Sequence, residues 1–275
     1  MNEIKLILSD IDGTILNDEN VVDSDLKATV NKLRNKNVPF ILASARSPKG
    51  MLPIAKELAV MDNPIACYNG ALVIKNLDKK SYTTILSHEL NPDEVKKIIT
   101  SVHQKYPQVS INLYSGSDWY VEKIDKWVEI ESDITQLEPI VTDVEKLIST
   151  APIHKILLIS EPEEIAEALN NFQAESLVDS SFYLSKPNYL EITNSHVSKE
   201  KALRELAKMY DLSLDKTMTL GDNFNDLPML ELAGLGVAMQ NAPSAVKKSA
   251  KVVTESNNQN GVSKAIHKYV LNEKR

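Results

Sequence analysis

"IKLILSDIDGTILNDEN", residues Ile4 to Asn20, starts as a continuous apolar run and stops in two aspartates, Asp10 and Asp12, before a Gly-Thr turn. Short apolar runs separated by helical patterns predict strands buried on both faces of a parallel sheet. The run "KLILS" therefore reads as a strand. Its acidic end falls where open α/β sheets bind ligands, at the carboxyl end of the strands. Side chains alternate along a strand, so Asp10 and Asp12 can point the same way while Ile11 points oppositely. Their carboxylates would lie roughly 6–7 Å apart and, at an effective dielectric of about 20, repel by about 2–3 kcal/mol. A divalent cation removes that repulsion, and an oxygen-rich donor set suits Mg²⁺. An Asp-rich turn with Asp12-Gly13 at its tip accounts for the same residues. The motif alone does not choose between turn and site.

Outward from this stretch, the rhythm continues. A helix is expected from Asp25 to Lys36, a strand over Val38 to Ala43, a helix opened by Ser47-Pro48 and running towards Val60, and a strand over "PIACY". Near the other end come a helix from Ser198 to Tyr210, a strand over "TMTL", a helix through Leu227 to Glu231 and a strand over "LGVAM". Between about Leu86 and Glu191 the strands alternate instead ("VSINLY", "DWYVEK", "SFYLS"), among helices at Pro92 to His103 and Pro162 to Phe172. Alternation predicts an antiparallel sheet with one covered face. The expected fold class is α/β: a parallel-sheet core formed by residues 1–85 and 192–275, interrupted by an α+β domain inserted at 86–191. The closing "NEKR" reads as a frayed end.

Composition narrows the function. At 275 residues the chain exceeds what one compact core usually needs. A formal net charge of -7 argues against general nucleic-acid binding and against docking on anionic membranes. No apolar segment reaches the roughly 18 residues that span a bilayer, and "MNEIKLILSD" lacks the marks of a signal peptide. One cysteine, Cys67, excludes an intrachain disulfide and any multi-cysteine metal site. A cytoplasmic protein is expected.

"TMTLGDNFNDLPML" repeats the logic of the opening stretch: an apolar strand, Gly221, then Asp222, Asn223, Asn225 and Asp226. The chain has no G-x-x-x-x-G-K-[ST] loop and no G-x-G-x-x-G, so nucleotide-binding readings of a strand ending in Asp fail. An EF-hand fails on spacing, since Ile15 stands where its glycine belongs and, from Asp222, Phe224 stands where a ligand belongs. An Asx-rich helix cap would explain Asn223. Two acidic clusters at two strand ends of one sheet should converge on one rim. "ILASARS" puts Ser44 straight after the second strand, where its hydroxyl and neighbouring N–H groups could bind a phosphoryl oxygen or simply meet solvent. In "HVSKEKALREL", Ser198 is the expected N-cap, so Lys199 falls in the first helical turn, where the helix dipole disfavours a cation. Lysine beside free N–H groups makes an anion site, although a surface lysine would occupy the same position.

"DIDGT", "ASAR", the lysine of "HVSKEKAL" and "GDNFND", in this order, resemble the four motifs of the haloacid dehalogenase superfamily. With "YNGALV" at Tyr68 to Val73 and the long insertion, the pattern is similar to the Cof-type sugar-phosphatase branch with a C2-type cap. That resemblance implies a Rossmann-like core with an inserted cap domain, acting on a small-molecule phosphate ester with Mg²⁺ and needing neither nucleic acid nor membrane. It makes Asp10 the nucleophile and Asp12 the acid and base for the leaving alcohol and the water. It gives Ser44, Ala45, Lys199 and Asn225 to the phosphoryl group, Asp10, Asp222 and the carbonyl of Asp12 to the metal, and Asp226 to support behind those ligands. The uncatalysed reaction is slow enough to require up to ~10²¹-fold acceleration, more than one group supplies.

Two departures stand out. Ser44-Ala45-Arg46 replaces the usual Thr-Gly-Arg, keeping the hydroxyl but adding a methyl beside the phosphate, and His196-Val197-Ser198-Lys199-Glu200 replaces Gly-Val-Ser-Lys-Gly. Substrate choice is expected in the cap, with Asp118, Trp119 and Tyr120 of "YSGSDWYVEK" as candidates or as cap core, His196 as a candidate or a surface residue, and Cys67 as packing. Three functions remain: a phosphatase for sugar phosphates, or for pyridoxal phosphate or flavin mononucleotide; a phosphomutase; and a phosphate-binding regulator. The Asp10/Asp12 pair speaks against the last, because a binder needs no general acid.

Overall fold

A computed structural model describes residues 3–273. The chain first lays down β1 (Leu6–Ser9), α1 (Leu26–Asn35), β2 (Phe40–Ala43), α2 (Pro48–Glu57), β3 (Ile65–Cys67), β4 (Leu72–Lys75) and β5 (Thr83–Ser87). There follow α3 (Pro92–Lys105), β6 (Ser110–Ser115), β7 (Asp118–Val121), α4 (Lys126–Thr135), β8 (Ile140–Val141), α5 (Val144–Thr150), β9 (Lys155–Ile159), α6 (Pro162–Ala174), β10 (Ser180–Lys186) and β11 (Tyr189–Asn194). The chain returns with α7 (Lys199–Met209), β12 (Thr217–Gly221), α8 (Leu227–Leu232), β13 (Leu235–Ala238), α9 (Ser244–Ser249), β14 (Val252–Val253) and α10 (Gly261–Ile266). Two compact units result. One takes the chain up to Ala45, Met51–Ile85 and the part from Ser198 onward; the other takes Leu86–Val197 together with Arg46–Gly50.

In the first unit the strands run β14-β13-β12-β1-β2-β3-β4-β5 in one eight-stranded sheet. β1 pairs in parallel with β12 (Leu6↔Thr217 to Ser9↔Leu220) and with β2 (Ile7↔Phe40 to Ser9↔Leu42). Every residue of β1, β2 and β12 is buried, and these runs are mostly apolar, with Ser9, Thr217 and Thr219 bonding backbone carbonyls. From β1 the chain steps one way to β2 and β3, and the later strands fill the other side. The order therefore reverses between β1 and β12, the place where such sheets bind ligands. α1 buries Leu26, Thr29, Val30 and Leu33, the i, i+3, i+4, i+7 stripe of a helix lying on a sheet. α7 buries Ala202, Leu203, Leu206 and Ala207, and the Ser198 hydroxyl caps it by accepting the Lys201 N–H at 3.1 Å.

The sheet is not wholly parallel. β3 and β4 pair antiparallel (Ile65↔Ile74, Cys67↔Leu72), because the chain between them is too short for a crossover helix. Their turn puts Tyr68 (φ 52°), Asn69 (φ 56°) and Gly70 (φ 105°) consecutively in the left-handed region. Such a value is unusual for a buried tyrosine. Cys67 is buried, and burial pushes its thiol up, consistent with packing.

In the second unit the order is β10-β11-β9-β6-β7-β8. All the assigned pairs are antiparallel except β7 with β8, which run parallel because α4 carries the chain across between them. β11 runs on to Asn194, so this sheet extends past residue 191, where the inserted domain was expected to end. One face packs Ile111, Leu113, Ile156, Leu158, Leu190 and Ile192 against α3, α5 and α6. The opposite face, expected to be open, carries polar residues that are nevertheless buried: Asn112, Lys155, Glu191 and Tyr114. Lys155 pairs with Glu191 at 3.4 Å, and Tyr189 donates to Glu131 of α4 at 2.9 Å. Trp119 is part of this core, 2% exposed, with its indole N–H bonded to Asn112 at 3.0 Å and its ring stacked on Tyr114. The period-2 pattern thus marked two different buried faces, one apolar and one polar.

The frayed end expected at "NEKR" does not hold at Asn272 and Glu273. Asn272 adopts a left-handed cap (φ 56°), and Glu273 accepts from Lys32 at 2.7 Å and bonds His267 at 2.8 Å. Lys274 and Arg275 lie outside the described residues. Among the described residues no helix is long and apolar enough to cross a membrane.

Candidate active site

Pairing of β1 with β12 brings the two acidic stretches together. The Asp10 N–H donates to the Leu220 carbonyl at 2.9 Å, so the chain just past β1 is held to the end of β12. β1 stops at Ser9, and Asp10 to Asp12 lie beyond it; strand alternation does not govern these residues. Asp10 is 5% exposed and Ile11 fully buried, whereas Asp12 is exposed.

Lys199, 1% exposed at the start of α7, enters the same place. Its ammonium donates to Asp10 Oδ1 and to Asp226 Oδ1, the latter at 2.7 Å. The other oxygen of Asp226 accepts the N–H groups of Asp222 and Asn223 at 3.0 and 3.1 Å, which fixes the turn after β12. Asp222 accepts from the buried Thr14 hydroxyl at 2.9 Å. Gly13 (φ +81°) sits against Asp222: a Cβ at Gly13 would lie 2.5 Å from Asp222 Oδ2, so only glycine fits.

Burial raises the Asp10 carboxyl well above the usual carboxylate range; Lys199 opposes the rise, and Asp226 and Asp222 add to it. Asp222 is pushed up to about 6, first by burial and then by Asp226. Burial alone would lower the Lys199 ammonium, but Asp10 and Asp226 outweigh it and hold the group above its ordinary value. Three carboxylates, of Asp10, Asp222 and Asp226, each place an oxygen within 4.8 Å of the others, and the ammonium of Lys199 faces them. A buried cluster of that sign and donor type fits a hard divalent cation.

Ser44 follows β2 and is 2% exposed; its N–H donates to Ala66 and its carbonyl accepts from Asn69, both backbone bonds. Its hydroxyl lies 3.4 Å from Asp12 Oδ2. Ala45 is half-buried next to it, and Asn225 is exposed in the turn before Asp226. His196 is exposed, with its N–H on Asn194. The structure thus gathers Asp10, Lys199, Asp222 and Asp226 into direct contact and places Asp12 beside Ser44. Neither Thr14's bond to Asp222 nor the left-handed turn at Tyr68–Gly70 could be read from the sequence, although both stretches stood inside quoted motifs. Thr14 stood inside the "DIDGT" motif, but its partner is 208 positions away.

An α/β sheet that gathers three carboxylates and a lysine at its carboxyl rim places a charged ligand site where such sheets bind their ligands. The haloacid dehalogenase-like hydrolase family model matches residues 7–266, and the chain belongs to that family. A candidate phosphatase of Haemophilus influenzae is 34% identical over 261 residues, covering 94% of this chain and 95% of its own. A second, YxeH of Bacillus subtilis, is 31% identical, covering 97% of this chain and 98% of its own. The crystal structure of a haloacid dehalogenase-like hydrolase from Bacteroides thetaiotaomicron superposes with a TM-score of 0.87 at 27% identity, covering 97% of this chain and 99% of that one. The resemblance drawn from the four motifs holds, at the level of the superfamily and of its Cof-type branch.

Proposed function

We propose that this hydrolase is a Mg²⁺-dependent phosphatase that cleaves small phosphorylated metabolites, sugar phosphates first, through a phosphoryl group carried on Asp10. The observation that supports this best is the Lys199 ammonium shared between Asp10 and Asp226, with Asp222 beside them. Bound at Asp10, Asp222 and the Asp12 carbonyl, Mg²⁺ would neutralise the carboxylates and offset charge developing on the phosphoryl oxygens. The Asp226 oxygens are already taken by Lys199 and two backbone N–H groups, so its part is to hold the loop.

The chain's own groups account for the rest. An Asp10 oxygen forms a bond to phosphorus as the bond to the leaving oxygen breaks, and Asp12, entering as the acid, hands its proton to that oxygen. Asp12, now a carboxylate, takes a proton from water; the water oxygen bonds to phosphorus and Asp10 leaves as carboxylate, releasing inorganic phosphate. Exposed Asp12 can exchange protons with solvent, whereas buried Asp10 is shielded from it, which suits these two roles. Ser44, Ala45 through its backbone, Lys199 and Asn225 hold the phosphoryl group. The inserted unit, Leu86–Val197, is the part of the chain that selects the leaving group. The names carried by the relatives of H. influenzae and B. subtilis agree with phosphatase chemistry.

Phosphate release from a panel of sugar phosphates, pyridoxal phosphate and flavin mononucleotide, with Mg²⁺ and with chelator, tests the reading. Metal-dependent release supports it and ranks substrates. An isomerised sugar phosphate without release would make the protein a mutase.

A further inference from the structure

The loop that carries Asp12 has almost no regular structure of its own. Between β1 and α1 it makes only the isolated bridges Asp12↔Leu16 and Leu16↔Val22. Side-chain amides from two later stretches hold it. Asn241 Nδ2 donates to the Gly13 carbonyl at 2.8 Å, and Asn241 Oδ1 accepts the Asn257 N–H at 3.1 Å. Asn257, 5% exposed, spends its own amide on the Leu16 carbonyl and on Asp18 Oδ1, each at 3.1 Å. Asn258 and Asp18 then exchange two further bonds, at 2.9 and 3.1 Å.

The Gly13 carbonyl is a telling place to grip. Gly13 lies between Asp12 and Thr14, at φ +81°, and Thr14 is already tied to Asp222. Glycine is the residue at which a peptide plane turns over most cheaply. With Thr14 tied to Asp222 and Asp10 tied to β12, the torsions of Gly13 set how the chain carrying Asp12 joins those two anchors. A donor on that carbonyl removes this freedom.

We propose that Asn241, oriented by Asn257, is a positioning residue that fixes the aim of Asp12 for proton transfer to the leaving group. The inference rests on the reading of Asp12 as general acid given above. It differs from a general stabilising role in one measurable way. An alkoxide needs a proton to depart, whereas para-nitrophenolate departs without one, so a misaimed acid slows alkyl esters selectively.

The test compares, in a single turnover with enzyme in excess, the rate of leaving-group release from a primary alkyl phosphate and from para-nitrophenyl phosphate in Asn241→Ala and Asn241→Asp, which reads the step in which Asp12 gives its proton and not the later hydrolysis that both esters share. Asn241 is exposed, so alanine leaves the core packing intact; aspartate keeps the shape but sets an acceptor against the Gly13 carbonyl. Leaving-group release from the alkyl ester should slow about tenfold or more in both, and release of nitrophenolate by less than about threefold. Retained nitrophenyl turnover itself shows the variants are folded. Equal losses on the two esters, or no loss on either, would overturn the proposal. Asp12→Asn separates the two levels: it should show the same bias more strongly. Bias in Asp12→Asn without bias at Asn241 removes the clamp alone, and no bias in Asp12→Asn removes the acid reading and the clamp with it.

Discussion

Replacing Lys199 by methionine probes the buried charge cluster directly. The change keeps the volume of the side chain and removes its ammonium, which bonds Asp10 and Asp226 from a position 1% exposed. Without it, three carboxylates with oxygens within 4.8 Å face one another. At that separation and an effective dielectric of about 20, each ionised pair repels by about 3.5 kcal/mol. Protonation of Asp10 and Asp222, both already shifted upward, relieves part of this. Breaking a buried ion pair on one side costs about 3–5 kcal/mol, which at the size of the first unit lowers Tm by on the order of 10 °C. The assay is thermal and urea unfolding in chelator, repeated in Mg²⁺. The variant should lose that stability in chelator and regain more than wild type from Mg²⁺, since a cation bound only to the folded state adds about 2.7 kcal/mol at a hundredfold excess over Kd. Adding Asp10→Asn to Lys199→Met should recover stability, because one of the repelling charges goes. A Lys199→Met protein as stable as wild type in chelator, with no larger response to Mg²⁺, would refute the reasoning.

Other outcomes follow from single contacts. Thr14→Val removes the hydroxyl on Asp222 without changing shape, and the Mg²⁺ concentration needed for half-maximal activity should rise about tenfold. Gly221→Ala would set a Cβ 2.5 Å from that of Asp226 and should cost about 1–3 kcal/mol in urea unfolding, with activity lost alongside. His154 in the second unit accepts the Gly116 N–H on Nδ1 at 3.1 Å, and burial holds its pKa below 6.5. A depressed folded value means that its stability is full above about 6.5 and is lost as pH falls through the folded value; urea midpoints of the second unit should drop on acidification, and less so in His154→Leu.

Much of the first unit could be read from its sequence, because its buried parallel strands are largely apolar and helices such as α1 keep a strict stripe. The carboxyl-rim position of Asp10 and Asp222 followed from those strands. Harder to read was anything set by short loops or distant partners. The antiparallel β4 follows from a turn of left-handed residues at Tyr68 and Asn69, which composition does not mark. Burial of Lys155 and Glu191 in the second sheet depends on their pairing across strands, and each alone reads as a surface charge. Thr14, Asn241 and Asn257 act through partners more than two hundred residues away or through a backbone carbonyl, and short polar residues of this kind look like ordinary turn residues until the chain is folded.

The central claim is that phosphorus is transferred to Asp10. Acid quench during steady turnover, followed by borohydride reduction and peptide mass analysis, reads this residue alone, since an acyl phosphate is reduced to the alcohol and a free carboxylate is not. Reduction at Asp10 that requires both Mg²⁺ and substrate, with Asp12 and Asp222 untouched, is the predicted result. Sustained phosphate release with Asp10 never reduced would contradict the account.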